Sequence, residues 1–103
     1  MNFELAQFTP LVGNKFVVET QIGPAELVLV EAEELPRGTR PERFRTPLSL
    51  IFNSPAHLSL EQDNYWVEHP VIGRHIWAIA QVLAPFGVPQ TPETPRYYQV
   101  LFA

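Results

Sequence analysis

Eleven of the 103 residues are proline, at positions 10, 24, 36, 41, 47, 55, 70, 85, 89, 92 and 95. A proline inside a helix removes a hydrogen bond and collides with the preceding turn, and none of the longer proline-free windows between them reads as helical. Between the prolines the chain is rich in β-branched and aromatic residues and partly alternating, the pattern of short strands joined by turns. Six or seven strands are expected. Lys15–Gln21 sets Phe16 and Val18 against Val17 and Glu19, and Gly23-Pro24 is the expected turn into Ala25–Glu33, where Leu27 and Leu29 oppose Val28 and Val30. Pro47–Asn53 alternates Leu48, Leu50 and Phe52 with Ser49, Ile51 and Asn53, its proline at the strand start. Asn64–His69 and Arg74–Val82 form a hairpin over an expected four-residue loop, Pro70–Gly73, and Arg96–Phe102 is the last strand.

The one helical stretch is Phe3–Phe8, with Asn2 as the expected N-cap and Pro10 as its stop. It is too short to persist alone in water, so Phe3, Leu5 and Phe8 must dock on the sheet, plugging one end. The expectation is one all-β domain over residues 1–103: a small antiparallel β-barrel with a short N-terminal helix, a two-sheet sandwich being the alternative.

Charge and composition then exclude whole classes of function. Lys and Arg number 7 against 11 Asp and Glu, a net charge of −4. Phosphate neutralisation needs a clustered positive surface, so nucleic acid is not an expected partner. With no cysteine there is no disulfide, thiolate nucleophile, cysteine zinc site or iron–sulfur cluster. The apolar runs Leu27–Val30 and Ile76–Ala80 are far shorter than the roughly 20 residues of a spanning helix, and no membrane partner is expected. Met1–Pro10 carries Glu4 and lacks a basic start before an apolar run, which points to a cytoplasmic location.

Four constellations could carry chemistry. Glu68-His69, preceded by Tyr65 and Trp66, pairs a carboxylate with an imidazole. Strand alternation separates them, with Tyr65, Val67 and His69 on one face and Trp66 and Glu68 on the other. A four-residue loop places His75 opposite Glu68, so the expected cross-strand pair is Glu68 with His75, and His69 is expected to bond backbone near the turn. Secondly, His57, His69 and His75 lack the spacing of any recognised metal motif, and no metal or cofactor is expected. Thirdly, Arg37, Arg40, Arg43 and Arg45 hold four of the seven cationic residues. They are read either as an exposed loop paired with the protein's own acids or as a docking loop for an acidic protein partner. Lastly, Pro89, Pro92 and Pro95 recur every third residue, as on one ridge of a polyproline helix, although a rigid loop before the last strand explains them equally well.

The aromatic residues are core by default, with Trp66 and Trp77 expected on the outward face, where exposed tryptophan marks an interface. Ser49, Ser54 and Ser59 lack a glycine-flanked elbow, and the five glycines are dispersed, so neither a hydrolase nucleophile nor a phosphate loop is readable.

The ordered set Phe8-x-Pro10-Leu11-x-Gly13-x-x-Phe16, Pro47-Leu48-Ser49-Leu50-x-Phe52-x-x-Pro55, Leu60-x-Gln62-x-x-Tyr65-x-x-Glu68-His69 and Tyr98-x-x-x-Phe102 covers nearly the whole chain. It resembles a family of short bacterial β domains of unknown function that carry a Tyr-x-x-Glu-His signature and are associated with phage-tail-like gene neighbourhoods. The resemblance implies no reaction and no cofactor, so it transfers no catalytic role to Glu68 or His69, and it tilts the expectation toward an assembly role. Two departures stand out: Asp63-Asn64 replaces a glycine-containing turn, and the arginine and proline loops are longer than the family pattern. The expected function is a non-catalytic structural or adaptor module that binds a protein partner or copies of itself, through Arg37, Arg40, Arg43, Arg45, Trp66 and Trp77. The alternative is a small-ligand-binding barrel or minor enzyme using Tyr65, Glu68, His69 and His75.

Overall fold

The computed structural model describes residues 3–35, 47–55, 58–83, 91 and 93–102. Six strands, β1 (Lys15–Thr20), β2 (Gly23–Glu34), β3 (Leu48–Ser54), β4 (Asp63–His69), β5 (Gly73–Val82) and β6 (Arg96–Phe102), close into an antiparallel barrel in the order β1-β2-β3-β6-β5-β4. The barrel, not the sandwich, is the architecture. Strand β3 lies beside β6, and the meander β6-β5-β4 then runs back to β1, a Greek-key path. Closure pairs every strand on both sides, and it is very uneven. The strands β3 and β6 pair over seven residues and β4 and β5 over seven, whereas β1 meets β4 only through Val17↔Glu68 and Val18↔Val67.

Two-residue alternation fills the interior. Phe16 and Val18, Leu27 and Leu29, Leu48, Leu50 and Phe52, Val67, Trp77 and Ile79, and Tyr98 and Val100 all point inward and are buried. A barrel of six strands is narrow enough for such side chains to meet across its axis, where they form one core cluster. In β2 the pairing slips between Leu29 and Glu31, leaving Val30 as the extra residue of a bulge. The slip keeps both Leu29 and, beyond it, Ala32 against the core, where unbroken alternation would have turned Ala32 out.

Both ends are covered. At one, the helix α1 (Leu5–Phe8) and a following 3₁₀ turn (Thr9–Leu11) bury Phe3, Phe8 and Leu11. The backbone there is tied down by Gly13 N–H donating to the Leu29 carbonyl at 2.7 Å and Leu29 N–H to that of Asn14 at 3.1 Å. The helix is therefore the expected plug, but its N-cap is Glu4, whose N–H donates to Gln7 Oε1 at 2.7 Å, and not Asn2, which lies outside the described residues. At the opposite end, the loop that leads into β4 buries its own Leu60, and the Tyr98 hydroxyl fixes that loop. It accepts from Leu60 N–H at 3.1 Å and donates to the Leu58 carbonyl at 3.2 Å.

Two turns differ from expectation. The first falls on Gln21-Ile22, with Gly23 already paired to Thr20 and Pro24 to Glu19, so Gly23-Pro24 opens β2. Proline is tolerated there because it stands at the beginning of its strand. The second is one residue shorter than expected. His69 pairs with Gly73, so the loop is Pro70-Val71-Ile72. Gly73 has φ +90°, a left-handed conformation that ends a three-residue turn and starts the strand in a single residue.

Candidate functional site

The one-residue correction at the hairpin decides which side chains meet. Glu68 now faces Arg74, and His75 faces Val67. The expected Glu68–His75 pair does not form, because the turn glycine shortens the loop and moves every partner by one. Arg74 instead binds two strands at once: Nη1 donates to Glu68 Oε1 at 2.6 Å and to Glu19 Oε1 at 2.7 Å, and Nη2 to Glu19 Oε2 at 2.9 Å. The two carboxylates raise the guanidinium's already high pKa, the Glu19 bond most strongly. Arg74 also lies over Trp66, 4.5 Å from the ring centroid. This outer cluster therefore bridges the two-pair seam between β1 and β4, where backbone bonding is thinnest. All three charged groups are nearly half exposed, and pairs of that kind contribute little each.

The two tryptophans lie on opposite faces. Trp66 is 42% exposed and stands directly across from Ile76, itself exposed. Trp77, expected outward, is 5% exposed and points inward with Ile79, because register places the odd positions of β5 inside. Its ring meets Phe3 and Phe102 edge-on at 5.6 and 5.5 Å and Phe8 at 6.0 Å. It belongs to the core and to no partner surface.

The imidazoles are similarly committed. His69 is 6% exposed. Its Nδ1 accepts from Val71 N–H at 3.0 Å, so Nε2 carries the proton and donates to Asn14 Oδ1 at 3.3 Å. The ring also lies 4.5 Å from that of Phe16, and burial pushes its pKa down, favouring the neutral form that these bonds require. His75 uses Nε2 on the Ile72 carbonyl at 2.8 Å and stacks on Trp77. Tyr65, near the other end of β4, donates to the Glu61 carbonyl at 2.7 Å. Burial raises its pKa most, followed by the carboxylates of Asp63 and Glu61.

Tyr65, Glu68, His69 and His75 thus do not converge on one cavity. Glu68 and His69 border a shallow depression of about 440 Å³ with Val17, Pro70, Gly73 and Arg74, but His69 has both nitrogens occupied and Glu68 holds Arg74. Among the described residues no three His, Asp or Glu side chains stand together as metal ligands; His57 lies outside them. Arg37, Arg40, Arg43 and Arg45 also lie outside the described residues, as do Pro89 and Pro92. Of the segment's described residues, Thr94 N–H donates to the Thr91 carbonyl at 3.0 Å.

A feature not anticipated from the sequence opens where β1 and β4 part beyond their two paired residues. A groove of about 630 Å³ runs between the Gln21-Ile22 turn and residues 58–66, with Ile22, Leu58, Tyr65 and Trp66 as apolar lining and Glu19, Glu61 and Asp63 as acidic lining. The signal available in the sequence was Asp63-Asn64 standing where a glycine turn was expected. The Asp63 carboxylate accepts from Asn64 N–H at 2.8 Å, at the point where β4 begins.

A family described as a domain of unknown function, DUF6916, matches residues 3–102. No curated protein matches, and no solved structure matches.

Proposed function

The chain belongs to the DUF6916 family, a domain of unknown function, and from that premise we propose that it is a non-catalytic structural or adaptor module that binds a protein partner or copies of itself, in an assembly of the phage-tail type. The observation that carries this reading is Trp66, a large apolar side chain left 42% exposed beside Ile76 on the outer wall of a barrel whose interior is packed and whose ends are both covered. Exposed tryptophan is the side chain most enriched where partners bind tightly. The polar groups that could have served chemistry are spent on structure: His69 on Val71 and Asn14, Glu68 on Arg74.

Native mass spectrometry of the untagged chain purified from its own host tests the reading. A discrete oligomer or a defined protein complex, lost in Trp66→Ala while the fold is retained, is the expected outcome. A monomer that carries a stoichiometric small molecule would overturn it and favour the second reading, a ligand site at the depression bordered by Glu68 and His69.

A further inference from the structure

The groove beside Trp66 has a chemical character that selects its occupant. Its apolar side is Trp66, Tyr65, Leu58 and Ile22, the last 92% exposed at the tip of a turn. Its acidic side is Glu19, Glu61 and Asp63; Glu19 holds Arg74, and among the described residues no ion pair involves Glu61 or Asp63. The field of the latter two groups is felt locally, for both contribute to the raised pKa of Tyr65. What fits is an extended segment carrying several guanidinium or ammonium groups together with apolar contacts.

The chain itself holds such a segment. Residues 36–47 contain four arginines against Glu42, a net +3, so that with −4 in total the rest of the molecule carries −7. Position makes the match intermolecular. The segment leaves β2 and enters β3 at the plugged end, where Leu35 N–H bonds the Pro47 carbonyl at 2.8 Å, whereas the groove lies at the far end, beside the Gln21-Ile22 turn. Residues 36–46, going out and back from that clamp, extend at most ~20 Å. That is roughly the length of the barrel wall, with strands still to cross before the groove is reached. A second copy placed end to end brings its groove to the segment without that stretch.

We infer that copies of this chain associate head to tail, the Arg37–Arg45 segment of one seated in the Trp66 groove of the next. This rests on the adaptor reading and names its partner. Such a contact joins two different surfaces, so it repeats into a ring or a filament instead of stopping at a symmetric dimer. Arginine forks on carboxylates set the register, and Trp66 supplies the buried anchor.

Sedimentation velocity of the full chain over a concentration series, at low and high salt, tests the inference. The expected result is concentration-dependent association that weakens as salt shortens the screening length. Glu61→Lys with Asp63→Lys, and separately Arg40→Glu with Arg43→Glu, should each weaken association by more than about tenfold while a cooperative thermal transition is retained. Mixing the two variants should restore assembly, because each supplies the charge that the other has lost. A monomer at every concentration and salt, or association that ignores both reversals, overturns the inference. The adaptor reading falls separately, if native mass spectrometry shows a monomer carrying a stoichiometric small molecule or if Trp66→Ala leaves every complex seen there intact.

Discussion

Two tryptophans eleven residues apart on one hairpin have opposite roles. Trp77 sits in a ring cluster with Phe3, Phe8 and Phe102 and is one of the side chains around which the barrel closes. Trp66 lies under Arg74 on the outside, and its neighbours are charges and an exposed isoleucine. Nothing in their residue type separates them. Strand parity does: an odd position of β5 faces the core and an even position of β4 faces solvent. The inner wall of this hairpin holds the molecule together, and the outer wall is free to meet something else.

That contrast can be broken from the inside first. Trp77→Ala removes the largest ring of the plugged end and should cost about 3–5 kcal/mol, enough to unfold a marginal domain, as read by denaturant titration. Tyr98→Phe keeps the ring but leaves the buried Leu60 N–H without its acceptor, and a loss of about 1–3 kcal/mol is expected in the same titration. Acidification probes His69. Burial holds its imidazole below the ordinary value near 6.5, so on lowering pH the unfolded chain takes the proton first. The stability it contributes is complete above about pH 6.5 and is lost as pH falls through the lower folded value. Thermal melts between about pH 7 and 5 should show that slope, and His69→Gln should flatten it. The outer wall gives the smallest response: Trp66→Ala should change stability by no more than about 0.5 kcal/mol while abolishing association. A melting-temperature drop comparable to that of Trp77→Ala would erase the distinction between the two faces.

Most of the fold was legible because burial in a barrel repeats every two residues. The alternations of Phe16 with Val18 and of Leu48, Leu50 and Phe52 mark the core face directly, and Pro47, Pro55, Pro70 and Pro95 each stand just outside a strand end. Strand closure was less legible, since the order β3-β6-β5-β4 depends on contacts between segments far apart in the chain. The site was lost by a single residue. A glycine after Pro70-Val71-Ile72 was counted as the fourth loop residue, yet its left-handed backbone makes it the first of β5, and that shift replaces a Glu68–His75 pair by Glu68–Arg74. The partner of Arg74 on β1, Glu19, is fifty-five positions away in sequence and left no local trace. The groove left only the Asp63-Asn64 departure as a trace, because it arises from the parting of β1 and β4 and not from a motif.

The bond between Leu35 and Pro47 has a consequence for how this domain can vary. It joins the two strands where residues 36–46 leave and return, so that a segment inserted there is an appendix closed at its base. Doubling the length of such an appendix adds only about 0.6 kcal/mol of closure entropy. Residues 36–46 are therefore a natural grafting position, where a foreign peptide could be displayed, or the sequence of another family member exchanged, while the scaffold beneath keeps its register.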